Sequence, residues 1–590
     1  MHPGADQGRT QLQGPALRPA GGLRERVHRE RLNDFQKGHE DRGLNQSGAF
    51  TFVLHSHLPY ARRAGRWPHG EEWVHEALTE TYIPLLNALH DLRDEGVAYK
   101  LTIGLTPVLL EQLADDLIKT NFEEFIDEKV SRAEHDLQRF SEAGDLARAD
   151  VAHFWLNFYE GVARSFRERF KRDVVGAFRD LRQSGHLDVL TSAATHGYLP
   201  LLGRDSSITG QLRTGYRATA RHLGQPARSI WLPECAYRPE RPGGRPGIET
   251  FLDGMGIECF FVETHLIEGG RPSGKATGDA VGPYGEVARR YEVPQGAHDE
   301  ASAGTTFKPY LVRQSGVSTL ARNKRTGLQV WSGDHGYPGD YWYREFHKKD
   351  GVSGLHYWRV SGVGIGLGDK EIYDPPRAAV RIQDHADHFA SLVHEVLDDY
   401  QRESGSPGIV AAAYDTELFG HWWFEGVQWL AQVLRQLAEN PAINLTSASD
   451  YVEESPPQSS IELPEGSWGQ EGTHFTWLNV DTEWMWPMIH EAEARMEKLA
   501  EIEDLDRQEV LNQAARELLL LQSSDWPFLV TTGQAADYAR ERFLSHVGRF
   551  NDLASFIESG HDASARAAEL WELDRVFPDI DYRDFRRSGN

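Results

Sequence analysis

Two carboxylates in aromatic company carry the most chemistry in this sequence. Glu234 stands in SIWLPECAYRP, residues 229–239, directly behind Pro233, and Asp415 stands in AAAYDTELFGHWW, residues 411–423. Trp231 and Tyr237 flank the first; Tyr414, Trp422 and Trp423 flank the second. Two carboxyl groups on either side of one bond are the equipment of glycoside cleavage, one as nucleophile and one as proton donor, through an oxocarbenium-like transition state. Two other readings compete. His55-x-His57 places two imidazoles on one face of a strand, where they could hold zinc for a metal-dependent deacetylase or mannosidase, or donate hydrogen bonds to substrate hydroxyls. A non-enzymatic carbohydrate binder would use the tryptophans alone.

The elements that must position these groups follow a repeated pattern. A proline ends a strand because it has no N–H to donate to the ladder, so Glu234 is expected at the mouth of a sheet or barrel. Short apolar runs with polar residues at their carboxyl ends recur in AFTFVLHSHLPY, YKLTIGLTPVLL, LDVLTSAATHGYLPLL, SIWLPE, GIECFFVETH, LQVWSGDHGYPGD and GIVAAAYDTELFGHWW. Near-continuous apolar strands alternating with helices predict a parallel sheet covered on both faces. Site residues gathered at strand ends predict a β/α barrel. Seven such units, rather than eight, predict an α/β fold with a distorted (β/α)7 barrel.

The barrel is expected in two parts, residues 49–107 and 187–425, with a helical insertion over 108–186. A C-terminal all-helical domain is expected over 426–560, where Leu511, Ala514, Ala515, Leu518 and Leu519 mark one helix face. Residues 1–48 read as a disordered leader or an upstream start, residues 561–590 as a polar tail, and the Gly- and Ser-rich stretch 266–327 as a long loop.

Bulk composition narrows the function. A net charge of −26 over 590 residues disfavours nucleic acid and anionic membranes as partners. Sixteen tryptophans suit flat ligands such as sugar rings, although a tryptophan is first a large core residue. Two cysteines make no disulfide framework, and no apolar run is long enough to span a bilayer or serve as a signal peptide, so a cytoplasmic address is expected.

Five segments in order, HSHLPY, ATHGYLPL, WLPECAYRP, AYDTELFGHWW and SSDWPF, resemble the signature segments of glycoside hydrolase family 57. WPHGEEW and GYPGDYWYREFH are similar to its 1,4-α-glucan branching enzymes. The resemblance spans about residues 49–550. It implies the (β/α)7 barrel with an inserted and a C-terminal helical domain, and a retaining enzyme acting on α-1,4-glucans with no metal or cofactor. Glu234 would be the nucleophile and Asp415 the general acid and base. His55, His57 and His196 would line the subsite of the glycosyl-enzyme, with Trp231 and His421 beside them. Trp73, Trp331, Trp468 and Trp477 would be glucan platforms, and Asp525 and Trp526 would close the cleft. Tyr284, with Tyr291 and Tyr310 as rivals, would be the tyrosine of a lid whose form decides between transfer to a 6-hydroxyl and α-amylase-type hydrolysis.

Overall fold

The apolar runs become parallel strands in the computed structural model of the chain, which describes residues 46–241, 243–270, 281–282, 285–286, 304–331 and 336–587. The strands are β1 (Gly48–Ser56), β2 (Leu101–Leu105), β3 (Leu187–Leu190), β4 (Ser229–Ile230), β5 (Cys259–Val262), β6 (Ser318–Ala321) and β7 (Gly408–Asp415). Ladders join β7 to β1, β1 to β2, β2 to β3, β4 to β5 and β5 to β6, all parallel. Two single parallel bridges, Thr191 with Ile230 and Arg322 with Ala411, close the ring between β3 and β4 and between β6 and β7. The result is the seven-stranded barrel the sequence pattern predicts.

All nine residues of β1 are buried, as a strand covered on both faces requires. Phe50, Phe52 and Leu54 belong to one hydrophobic core, with Phe389 and Trp429 of the surrounding helices, while Ala49 and Val53 belong to the other. Period-two alternation thus divides one strand between two cores.

Two expectations are corrected. The sixth barrel strand is Ser318–Ala321, inside the stretch read as a long loop, and LQVW is not a strand. It lies in the helix Lys324–Trp331. Asn323 caps that helix by accepting Thr326 N–H at 3.2 Å, and Thr326, Gly327 and Val330 bury one helical face. A four-residue strand of Ser, Thr, Leu and Ala has too little apolar length to be seen without its neighbours. Residues 332–335, including Asp334 and His335, lie outside the described residues, as do Tyr284 and Tyr291. Tyr310 is buried on the strand Tyr310–Val312 with its hydroxyl accepting Thr305 N–H at 2.8 Å. It is a packing residue there.

Helices α1 (Asp116–Glu142) and α2 (Leu146–Arg164) form a hairpin, with Asp115 and Asp145 as side-chain N-caps. The long helix α3 (Pro375–Ser404) starts with Asp374 capping and proline in its first turn, and stops at Gly405 with φ +75°. Beyond the barrel lie α4 (Met485–Leu499), α5 (Gln508–Leu521), α6 (Asp525–Thr532), α7 (Ala536–Glu558) and α8 (Ser564–Leu573). Helix α5 is buried beyond its apolar face, from Val510 to Leu521, because other elements cover it on all sides. Its polar groups are met internally: Arg516 Nε donates to Val576 O at 2.6 Å and Glu517 pairs with His546 at 2.8 Å.

The segment past residue 560 is not a polar tail. It carries α8 and then buries Val576, Phe577, Ile580, Tyr582 and Phe585. Phe585 lies so close over Gly210 that an added Cβ there would be 2.3 Å from the ring. Its five apolar residues are interleaved with charged ones, which hides the pattern in composition. Phe585→Ala is expected to cost about 3–5 kcal/mol, measured as a lower urea midpoint. Among the described residues no helix is long and apolar enough to cross a membrane.

Candidate active site

The chain reaches Glu234 along an unusual backbone. Strand β4 gives way at Trp231, whose N–H donates to Thr191 O at 2.9 Å and whose carbonyl accepts Ser192 Oγ at 2.8 Å. After Pro233 the chain turns left-handed at Glu234 (φ 63°) and Cys235 (φ 48°). A non-glycine residue in that region costs on the order of 1–3 kcal/mol, and such conformations gather at functional sites. Across the site His196 has φ 58°.

The Glu234 carboxylate is held at both oxygens. Trp468 Nε1 donates to Oε2 at 2.6 Å, and Ser524 Oγ donates to Oε1 at 3.3 Å. The Trp468 backbone N–H also donates to Glu234 O at 3.0 Å, so one residue fixes both the side chain and its peptide. Burial pushes the carboxyl up to about 7; the Trp468 hydrogen bond and the nearby His57 pull against that rise, while Asp415 and Asp525 add to it.

Three imidazoles form a stack beside it. His57 and His196 lie 3.9 Å apart between ring centroids, His55 lies 5.1 Å from His196, and Trp231 backs His55 at 4.8 Å. Because Ser524 donates to Glu234, it must accept from His196 Nδ1 at 2.8 Å. That leaves His196 Nε2 to accept from His55 Nε2 at 3.1 Å. A directed chain of protons thus runs from His55 through His196 and Ser524 to Glu234. His57 donates to Asp525 at 3.0 Å and meets Thr106 Oγ1 at 3.1 Å. Burial disfavours its charged form, but Asp525, Glu234 and Glu417 outweigh burial and raise it. Five of the six ring nitrogens thus meet one another, Ser524, Thr106 or Asp525.

Asp415 ends β7 directly opposite His55 in the β1 register. Two residues on, Glu417 is buried, accepts a hydrogen bond from Tyr82 OH, and is pushed up to about 7 by burial, with Asp415 adding to the rise. Ser56 and Thr416 hydroxyls tie β1 to this turn at 2.7 Å. His421 gives its Nδ1 to Glu80 at 2.8 Å.

The structure brings Glu234, His55, His57, His196, Trp468 and Asp525 into one network. Three of the tryptophans are buried in this structure. Trp526 is fully buried with its N–H given to Leu520 O at 2.8 Å, Trp477 is buried in a stack 4.2 Å from Tyr198, and Trp231 is fully buried behind His55. Trp331 is half-buried beside β7, with its N–H 3.5 Å from Ala413 O, and Trp73 is half-buried edge-on to Tyr538 at 5.4 Å. Sequence reading passed over Ser524, although it adjoins Asp525 in SSDWPF. It also passed over Glu80 and Tyr82, which lie inside a helical run and carry no local mark.

Residues 51–464 match glycosyl hydrolase family 57, and residues 488–585 match the C-terminal module of 1,4-alpha-glucan branching enzymes. The chain is 46% identical over 546 residues to the 1,4-alpha-glucan branching enzyme TK1436 of Thermococcus kodakarensis, covering 90% of this chain and 77% of that one. It is 30% identical to a probable 1,4-alpha-glucan branching enzyme of Mycobacterium tuberculosis, covering 91% and 98%. The crystal structure of TK1436 with glucose and additives superposes with a TM-score of 0.83 at 43% identity, covering 92% and 97%. The α-amylase AmyC of Thermotoga maritima superposes with a TM-score of 0.76 at 27% identity, covering 92% and 100%.

Proposed function

The chain belongs to glycosyl hydrolase family 57, and we propose that it is a retaining 1,4-α-glucan branching enzyme with Glu234 as nucleophile and Asp415 as general acid and base. The observation that carries the catalytic reading is the Glu234 carboxylate, partly buried at a barrel mouth with a donor on each oxygen. Those donors hold the anion in one orientation before substrate arrives, which is how a site avoids reorganising during reaction.

In the first step protonated Asp415 gives its proton to the glycosidic oxygen while a Glu234 oxygen bonds to the anomeric carbon. The C–O bond breaks and the reducing-end portion of the glucan leaves with the proton. In the second, Asp415 takes the proton of a 6-hydroxyl as that oxygen displaces Glu234, leaving an α-1,6 branch. The donor and acceptor are both α-1,4-glucan chains, and His57, braced by Asp525 on Nε2 and Thr106 on Nδ1, lends a wall to the site beside Glu234. The two cysteines, Cys235 and Cys259, are free and buried, in keeping with the cytoplasm as the place of action.

Amylose treated with the protein is expected to lose iodine colour and gain α-1,6 linkages, counted by debranching and chain-length analysis. A rise in reducing ends with no new branches would assign it instead to hydrolysis, the activity named for the Thermotoga relative.

A further inference from the structure

One turn of π-helix, Leu78–Tyr82, interrupts the helical run from Glu71 to Asp94, with Ile83 N–H reaching back to Leu78 O. Such single turns insert one residue into an α-helix and often mark functional sites. Here one donor and one acceptor side chain of the turn reach the same neighbouring segment. Tyr82 OH donates to Glu417, and Glu80 accepts His421 Nδ1–H at 2.8 Å. The backbone meets it too: Gly420 has φ +100°, and a Cβ added there would lie 1.9 Å from Glu80 O. Only glycine lets the two segments approach so closely.

From the opposite side comes Arg344, out of the GYPGDYWYREFH segment. Its guanidinium donates to His421 O and lies 3.9 Å from the Glu80 carboxylate, and its N–H donates to Glu425 at 3.0 Å. The segment 415–425 is therefore gripped at Glu417, Gly420, His421 and Glu425. Asp415 stands at its first residue. Burial works against the Glu80 anion, yet Arg344 and His421 hold it well below the usual carboxylate range.

We propose that Glu80 is a positioning residue: it fixes His421 as the Nδ1–H tautomer and, with Tyr82 on Glu417, holds the turn that aims Asp415. This rests on the reading of Asp415 as acid and base. A carboxylate can only accept, so His421 must keep a proton on Nδ1, and in the neutral ring Nε2 is then the acceptor. Glutamine at position 80 has the same length but offers an N–H as well, so the tautomer is no longer dictated.

Glu80→Gln and Tyr82→Phe are therefore expected to lower kcat for branching by about 100-fold, the scale of a small misplacement of a reacting group, with KM little changed. In 15N-histidine spectra of the full chain, with the His421 signal assigned by its loss in His421→Gln, the wild type is expected to show the Nδ1–H tautomer and Glu80→Gln a mixture. Wild-type kcat in both variants, with only a lowered melting temperature, would reduce the contacts to a structural pair and overturn the proposal. An Nε2–H tautomer in the wild type would overturn it as well. Full activity in Asp415→Asn would instead remove the reading of Asp415, and the spectra would still decide whether Glu80 governs His421.

Discussion

Glu234→Gln is expected to lower branching by more than about 10⁴-fold, and Asp415→Asn by about 10²–10⁴-fold, with both variants folded. The two losses differ in kind. In Glu234→Ala there is no covalent intermediate, so azide cannot intercept one; it can only enter the space the truncated side chain leaves and displace the leaving chain directly, giving a glycosyl azide of inverted configuration. In Asp415→Ala the first step survives for substrates with good leaving groups. Azide then attacks the glycosyl-enzyme without needing base assistance, and the product keeps its configuration. Product stereochemistry, read by NMR, thus assigns nucleophile and acid/base separately. An exchange of the two outcomes would reverse the roles, and turnover near the wild-type level in either variant would remove that residue from the mechanism.

Trp468→Phe is expected to move the acid limb of the kcat/KM profile upward by about one pH unit and to cut activity at pH 6 by about tenfold. The indole N–H, 2.6 Å from Glu234 Oε2, favours the charged carboxylate. A hydrogen bond to a charged group contributes about 1.5–3 kcal/mol, equivalent to one to two pKa units. Its loss leaves burial less opposed, so the carboxyl, already at about 7, rises further. The nucleophile must be ionised in the free enzyme, so activity falls as pH drops through that value and falls sooner in the variant. Above both values the profiles should converge. A limb that stays in place while kcat drops at every pH would mean that Trp468 contributes only to binding or packing.

The strand-end pattern made Glu234 and Asp415 stand out because a parallel barrel leaves its chemistry where apolar runs stop, and those stops are local in sequence. The matching count of seven strands hid an exchange: Ser318–Ala321 is too short and too polar to announce itself, whereas LQVW is apolar enough to pass for a strand until Asn323 is seen to cap a helix. The tryptophans were least legible. Nothing in the residues around Trp468 and Trp477 separates an indole that holds a carboxylate from one stacked on Tyr198, because burial is decided by segments far away in the chain. Glu80 illustrates the same limit, since its partner His421 is 341 residues distant. The family resemblance supplied order to these segments, and the roles of Trp477 as a platform and of Trp526 at the cleft came from it rather than from their neighbours in sequence.

The ring of strands is not uniformly knit. Between β3 and β4, and again between β6 and β7, one bridge pair replaces a ladder. These seams part the wall into an arc carrying His55, His57, His196 and Asp415 and an arc leading to Glu234. A retaining enzyme needs its two carboxyls about 5–5.5 Å apart, and here that gap spans a seam. The seam is tied from outside the ring: Ser524 bonds His196 on one arc and Glu234 on the other, while Asp525 grips His57. The helical domain is in this sense the keystone of the catalytic gauge, and the spacing of the reaction is only as firm as the seating of a domain that contributes neither carboxylate.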